Sequence, residues 1–180
     1  MPRPPSIDRD AILRAALDIA DRGGVAAVTM QAVAEALTVT PMALYRHVDG
    51  KEAMLDGIVE LLLDELMAEA GGSSSPTVLG QVLAAARHVA GRHPEAFLLL
   101  LGRPAATDAA RLVRGRFHDI LEAAGVPGER VAVLERILST TILGMAAGHA
   151  TARFAAHDQD DDLAVTLAFL EAGLERFRTP

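Results

Sequence analysis

The sequence contains no cysteine and no tryptophan, and it has only one tyrosine and five phenylalanines in 180 residues. Without cysteine the chain can form no disulfide, no thiolate zinc site and no cysteine nucleophile. Leucine, alanine and valine must therefore fill the core, and hydrophobic residues make up 51% of the chain, which is enough for a sizeable one. Since alanine and leucine are strong helix formers, this composition favours an all-α fold.

The sequence also lacks an excess of basic residues, because its net charge is −7. Residues 1–51 hold six basic and six acidic side chains, so residues 52–180 carry all of the excess acid. A nucleic-acid contact at the N-terminal end would therefore depend on a few well-placed side chains and would gain little from long-range attraction.

No export signal and no membrane span are predicted from the apolar segments. The N-terminal residues MPRPPSIDRD contain no apolar signal core. The most apolar late stretch, Ile137 to Phe154, is interrupted by threonine, histidine and arginine, which favours a buried helix over a membrane-spanning one. We therefore expect a cytoplasmic protein with no membrane partner.

Helical periodicity predicts about nine helices, and no segment alternates as a strand would. Gly23-Gly24, Asp49-Gly50 and the Gly71 to Pro76 segment are the clearest breaks. We predict a helix-turn-helix domain over residues 1–50, followed by a ligand-binding and dimerisation domain over residues 51–180. The predicted helices cover roughly 8–22, 30–37, 41–48, a long helix from 51, 76–91, 94–101, 107–124, 127–153 and 160–177.

Two short helices joined by a tight turn carry the functional signal. Thr29 and Thr40 are candidate N-caps, and Pro41 occupies the first position of the second helix, where its missing N–H costs nothing. Because Leu44 and Val48 should point inward, other side chains of the second helix are left near its outer face or N-terminal end, which is the end that enters the major groove. These are Pro41, Met42, Ala43, Tyr45, Arg46 and His47.

Each of these residue types has a contact that it could make with DNA. Tyr45 and Thr40 can reach phosphates, and Arg46 can read a guanine edge or bind a phosphate. Lys51 begins the next helix, where its charge and the free backbone N–H groups both suit a phosphate. A plain three-helix packing unit would show the same spacing, so the pattern alone does not decide between the two.

Residues 9–66 resemble the TetR family of bacterial repressors, through VTMQAVAEAL followed by VTPMALYRHVDGKEAMLD. The resemblance implies a homodimer that binds a palindromic double-stranded DNA operator, pairs through its last two helices, and is released by a small organic inducer. It also implies a set of DNA-facing residues, namely Thr29, Gln31, Thr40, Met42, Ala43, Tyr45, Arg46, His47 and Lys51. The family usually has glycine where this chain has Thr38, and often arginine where it has Gln31.

Residues 51–180 contain the candidates for an inducer cavity and for a dimer contact. We expect an apolar or amphipathic organic ligand because the chain is rich in leucine, alanine and methionine and poor in aromatics. Small residues on one face of the 127–153 helix, Gly144, Ala147, Gly148 and Thr151, favour a dimer contact over a tight crossing within the chain. The candidate lining residues are Leu62, Phe97, Phe117, His118, Met145 and His149.

No metal site, cofactor or enzymatic activity is predicted. His88 and His93 are five residues apart and do not share a helix face, and His149 and His157 are eight apart. The acidic run from Asp158 to Asp162 lacks the glycine and glutamate of a calcium loop, and such a run suits a helix N-terminus. The alternative class is an all-helical small-molecule carrier or enzyme whose N-terminal unit is only structural. The sequence does not decide whether the regulator is a repressor or an activator.

Overall fold

The computed structural model describes residues 7–72, 77–103, 107–154 and 159–178, and within them the chain is helical, with no strand. The predicted all-α fold is therefore confirmed. A single 3-10 turn, Val25–Ala27, follows the first helix. The helices of the described residues are α1 Arg9–Gly23, α2 Met30–Ala36, α3 Pro41–Leu44, α4 Lys51–Gly72, α5 Val78–Arg92, α6 Pro94–Phe97, α7 Leu99–Gly102, α8 Asp108–Ala123, α9 Gly128–Ala150 and α10 Gln159–Glu175.

Two predicted helices differ from the observed ones. The predicted helix over 94–101 is two short helices, α6 and α7, because the Leu101 N–H donates to the Leu98 carbonyl three residues back, which interrupts the regular ladder. The predicted helix over 41–48 is regular only to Leu44, and residues 45–47 continue as turns. Of the predicted Gly71 to Pro76 loop, residues 71–72 end α4 and residues 73–76 lie outside the described part, as do His157 and Asp158.

The N-terminal unit is built from α1, α2, α3 and the start of α4. Ile12, Ala16 and Ala20 of α1 are fully buried, one turn apart, because a three- or four-residue spacing places them on one helix face. A Cβ on Gly57 would lie 2.3 Å from a methyl carbon of Leu13, so α1 and α4 approach closely there.

The body surrounds α5, which packs against both α4 and α9. Helix α8 covers α4 and α9, and α10 lies against α5. By length and composition α9 could cross a membrane, yet 44% of its most apolar window is buried inside this chain, which agrees with the predicted buried helix. The buried side chains form one cluster that extends from the N-terminal unit into the body.

The prediction that Ala147 and Gly148 belong to a dimer contact is wrong. Both are buried within their own chain, and a Cβ on Gly148 would lie 2.2 Å from the Phe154 ring. Glycine is needed because the chain turns back after α9, with Ala152 in the left-handed region at φ 57, and lays Phe154 on the helix. Gly144 and Thr151 are exposed.

Candidate nucleic-acid interface and ligand cavity

The turn between α2 and α3 is a Schellman motif. The Val39 N–H donates to the Ala34 carbonyl at 2.9 Å, and the Thr38 N–H donates to the Glu35 carbonyl at 3.1 Å. This pairing requires a left-handed residue at Thr38, whose φ is 57. The turn that the sequence pattern predicted is therefore present, with a β-branched residue at a position that favours glycine.

Helix α3 and the turn that follows it are held in place by two buried side chains. Leu44 is fully buried and Val48 nearly so. Met42 is 73% exposed and Tyr45 is 52% exposed, large fractions for side chains of this size. Arg46 is exposed as well. The two side chains predicted to point inward are thus buried, and Met42, Tyr45 and Arg46, which were predicted to face outward, are exposed.

The remaining residues predicted to contact DNA are close to α3 in the sequence. Thr40 holds the N-cap position of α3, but its side chain makes no capping bond. Pro41, Ala43 and Lys51 are partly buried, whereas Thr40 and His47 are exposed. Their contacts with DNA stay predictions.

Two residues of α2 are already engaged within the helix. The Thr29 hydroxyl accepts from the Ala32 N–H at 3.0 Å, which confirms its capping role. The Gln31 side-chain amide donates to Glu35 at 2.7 Å. Both residues are exposed, so each can still face a ligand.

The cations of the N-terminal unit fall into two groups. Arg9 pairs with Glu60, and Arg14 pairs with Asp10, each at 2.8 Å. Within the described ranges, no ion pair holds Arg46 or Lys51. The two cations nearest α3 are therefore available to a phosphate or a base edge.

A cavity of about 230 Å³ lies in the body between α4, α7, α8 and α9. Its walls are mostly apolar, with three charged residues and two hydroxyls. The lining comprises Val59, Leu63, Leu100, Leu101, Arg103, Ala110, Val113, Arg114, Phe117, Glu135, Ser139, Thr140 and Leu143.

Of the six lining residues predicted from the sequence, the structure places Phe117 in this cavity. Leu62 and Phe97 are fully buried in the core and do not line it, because neighbouring helices cover them completely. His149 does not line it either: its Nε2 donates to the Asp162 carboxylate at 3.2 Å, and its ring contacts Phe154 edge-on.

The other two predicted lining residues also lie elsewhere. Met145 is partly buried on α9 and His118 is partly buried on α8, and neither lines the cavity. The His118 Nε2 is buried and has no hydrogen-bond partner among the described atoms. Ligand binding by these two residues stays a prediction.

Arg103 is a cavity residue that the sequence did not single out. Its guanidinium donates to Asp56 at 2.8 Å and to Glu52 at 3.0 Å, and both acids lie in the first two turns of α4. Burial lowers the pKa of Arg103, but the hydrogen bonds that it donates to Asp56 and Glu52 outweigh that effect, so its pKa lies above the ordinary value. The Arg103 side chain thus connects the cavity to α4, the helix that follows α3.

A wider, open groove of about 710 Å³ lies between α4 and α5. Its charged side chains are paired with one another or with nearby helices: Arg92 bonds to Glu65 and Glu69, and Arg87 bonds to Asp160. Because its charges are already satisfied and it is open, this groove is a weaker candidate for a ligand site than the smaller and more apolar cavity.

Comparison with known proteins gives the family. The model for bacterial regulatory proteins of the tetR family matches residues 12–58, which include α2, α3 and the turn at Thr38. An HTH-type transcriptional regulator from Saccharopolyspora erythraea is 32% identical over 143 residues, which are 78% of this chain. Residues 12–58 of this chain belong to the tetR family. The aligned stretch spans 60% of the length of that relative.

Solved structures of tetR-family proteins share the whole fold. A TetR transcriptional regulator from Streptomyces coelicolor superimposes with a TM-score of 0.81 at 20% identity, covering 97% of this chain and 100% of that one. ActR from the same organism, in complex with actinorhodin, gives 0.80 at 18% identity, covering 94% and 96%. BioQ with its double-stranded DNA operator gives 0.74 at 22% identity, covering 93% and 98%; a Mycobacterium smegmatis BioQ structure also matches.

Proposed function

We propose that this tetR-family protein is a ligand-responsive transcriptional repressor, which binds a palindromic operator as a homodimer and is released by a small organic inducer. Residues 1–50 would form the DNA-binding domain and residues 51–180 the ligand-binding and dimerisation domain. The observation that carries the proposal is the outward surface of α3 and of the turn that follows it, where Met42, Tyr45 and Arg46 are exposed around the buried Leu44.

The DNA contact follows from the geometry of α3. A short helix whose N-terminal residues are exposed can enter the major groove, which is about 12 Å wide. Tyr45 and Thr40 would bind phosphates, Arg46 would bind a guanine edge or a phosphate, and Lys51 would bind a phosphate at the start of α4. The match to BioQ with its DNA operator supports this role for the fold.

The dimer is supported by an exposed apolar surface on the last two helices. Val133 and Ile137 of α9 are exposed one turn apart, and so are Val165 and Phe169 of α10. Water-facing apolar side chains at regular helical spacing are typical of a surface that another chain covers. A two-fold dimer would present two copies of α3 to the two halves of a palindrome.

The inducer site is supported by the cavity between α4, α7, α8 and α9. Its position beside Arg103 matters, because that guanidinium bonds to Glu52 and Asp56 in the helix directly after α3. A ligand that repositions Arg103 would move α4 and with it the DNA-binding helix. The match to ActR in complex with actinorhodin supports a ligand-binding role for this body.

A salt series with two variants of Tyr45 tests the DNA contact. We expect the wild-type protein to bind DNA from upstream of its own gene with an affinity that falls steeply as salt rises, because phosphate contacts release counterions. Tyr45→Ala should weaken binding at every sequence, by about tenfold if it removes a phosphate bond of about 1.4 kcal/mol. Tyr45→Phe removes only the hydroxyl and separates the phosphate bond from the packing of the ring.

Circular dichroism and thermal unfolding provide the control, because half-exposed Tyr45 should be replaceable without unfolding the domain. Wild-type affinity in a well-folded Tyr45→Ala protein would show that Tyr45 does not contact DNA. Absence of binding by the wild-type protein at low salt, both to this DNA and to a random pool of sites, would contradict the proposed function.

A further inference from the structure

Glu135 is the only charged residue that is buried among the described residues, with 9% of its surface exposed. It lies on α9 at the wall of the 230 Å³ cavity, between the buried Leu134 and Leu138. A charged side chain at this depth is rare unless a partner compensates it. Its presence in the wall of a cavity therefore needs an explanation.

No partner within the described residues compensates Glu135. No ion pair and no hydrogen bond to its carboxylate is formed there, whereas the partly exposed Asp56 and Glu65 of this body bond to Arg103 and His93. The carboxylate oxygens are not among the fully buried, unpartnered polar atoms of the described residues, so they face the open space of the cavity. The free protein therefore holds a negative charge that a bound molecule can compensate.

The two cations of the cavity wall are occupied elsewhere. Arg103 is bonded to Asp56 and Glu52 on α4, which leaves little of its charge for Glu135. Arg114 also has an interaction of its own with a neighbour. The other walls near Glu135 are largely apolar, and Val59, Leu63 and Phe117 belong to them.

We propose that Glu135 is a ligand-binding residue and that the molecule bound in this cavity is an amphipathic amine, whose protonated nitrogen pairs with Glu135 and whose hydrocarbon part packs on the apolar wall. This proposal rests on the proposed function in taking the cavity as the inducer site. A cation is favoured over a neutral donor because a charge-assisted hydrogen bond is about twice as strong and because it also compensates the buried charge.

Three probes of equal chain length test the proposal by calorimetry at pH 7 without DNA: octylamine, octanol and octanoate. We expect the amine to bind the wild-type protein about tenfold or more tightly than the alcohol, because only the protonated amine forms a charge-assisted hydrogen bond with the carboxylate. Glu135→Gln keeps the shape and removes the charge, so the preference for the amine should fall to about twofold or less.

Glu129→Gln on the same helix is the matched control, because Glu129 is exposed and lies outside the cavity. The Glu129→Gln variant should keep the wild-type preference for octylamine over octanol. Thermal unfolding checks that Glu135→Gln folds as the wild type does.

Three results would overturn the proposal: equal binding of amine and alcohol by the wild type, tighter binding of octanoate, or no binding of octylamine up to its solubility limit. An unchanged amine preference in Glu135→Gln would also overturn it. Specific DNA binding with no amine preference would leave the proposed function standing and remove this inference. Amine binding without DNA binding would support this inference and contradict the proposed function.

Discussion

Thr38 shows how a single residue can carry strain in the turn that orients α3. The Schellman motif places it in the left-handed region at φ 57, where a β-branched side chain crowds the backbone. Such a conformation costs of the order of 1–3 kcal/mol and persists because the helices on both sides are anchored by Ala34 and Leu44, which are fully buried.

We predict that Thr38→Gly raises the free energy of unfolding by about 1 kcal/mol, because glycine adopts a positive φ without the steric penalty. Chemical denaturation measures the change. The control is Thr141→Gly in the middle of α9, where the same replacement should lower stability by a similar amount, since glycine weakens a helix interior. Loss of stability in both variants would show that Thr38 carries no strain.

Single residues also mark the limit of what the sequence predicted. The unusual turn residue could be identified from the resemblance, and the exposed residues of α3 from the helical period. Glu135 was not identified, although a signal existed: it lies four residues after Val131 and three before Leu138, at a position where the helical period calls for an apolar side chain. A charge at a core position is a usable sign of a cavity.

At the scale of helices, Arg103 links the end of α7 to the start of α4. Its guanidinium bonds to Glu52 and Asp56, which are four residues apart on the same face of α4 and would otherwise repel each other. Arg103 itself is largely buried, whereas Glu52 is mostly exposed. The contribution of the cluster to stability is therefore closer to that of a surface network than to that of a buried pair.

We predict that Arg103→Met lowers the free energy of unfolding by about 1 kcal/mol, because methionine keeps the apolar stem and removes the charge that separates the two acids. A double-mutant cycle with Asp56→Asn should give a coupling energy of about 0.5–1 kcal/mol. Arg130→Met, at an exposed position of α9, is the control and should change stability by less than about 0.5 kcal/mol. Strict additivity in the cycle would contradict the link.

The helices themselves were largely predictable, but their contacts were not. Breaks such as Gly23-Gly24 and Gly125-Val126-Pro127 mark helix ends well, because glycine and proline act locally. The bond between Arg103 and Asp56 joins residues 47 apart, and no local pattern reports it. The same holds for Gly148: its small size indicated a close approach, and only the tertiary structure shows that Phe154 of the same chain makes it.

At the scale of the whole molecule, the proposed dimer surface can be compared with an equally exposed apolar residue elsewhere on the protein. Phe169 on α10 and Leu112 on α8 are both 73% exposed. Phe169 follows Val165 by one turn on a helix whose proposed role is dimerisation, while Leu112 lies on α8, which packs on α4 and α9. The two positions are therefore a matched pair for mutation.

We predict that Phe169→Arg converts the dimer to a monomer and that Leu112→Arg does not, because an arginine in a symmetric contact would be buried opposite its own copy. Sedimentation velocity measures the assembly, and DNA affinity should fall with Phe169→Arg by about tenfold or more, since one half-site contact is lost. A dimer that persists in Phe169→Arg, or one that is lost in Leu112→Arg, would show that the contact lies elsewhere.

The helix-turn-helix was predictable from the first third of the chain, because the turn, the capping residues and the exposed side chains at and after α3 are all local features. The ligand cavity was not, because four helices from distant parts of the sequence form its wall. Leu62 and Phe97 illustrate the reason: their apolar character fits a cavity wall and a core equally well, and packing places both in the core.

Footprinting on the DNA upstream of the protein's own gene tests the central claim most directly. If the dimer reads DNA with two copies of α3, the protected region should contain two half-sites related by a two-fold axis and separated by about one helical turn, roughly 34 Å, or a multiple of it. Protection should be lost in Tyr45→Ala and in Phe169→Arg. Protection of a single unsymmetric site, or none at low salt, would contradict the account.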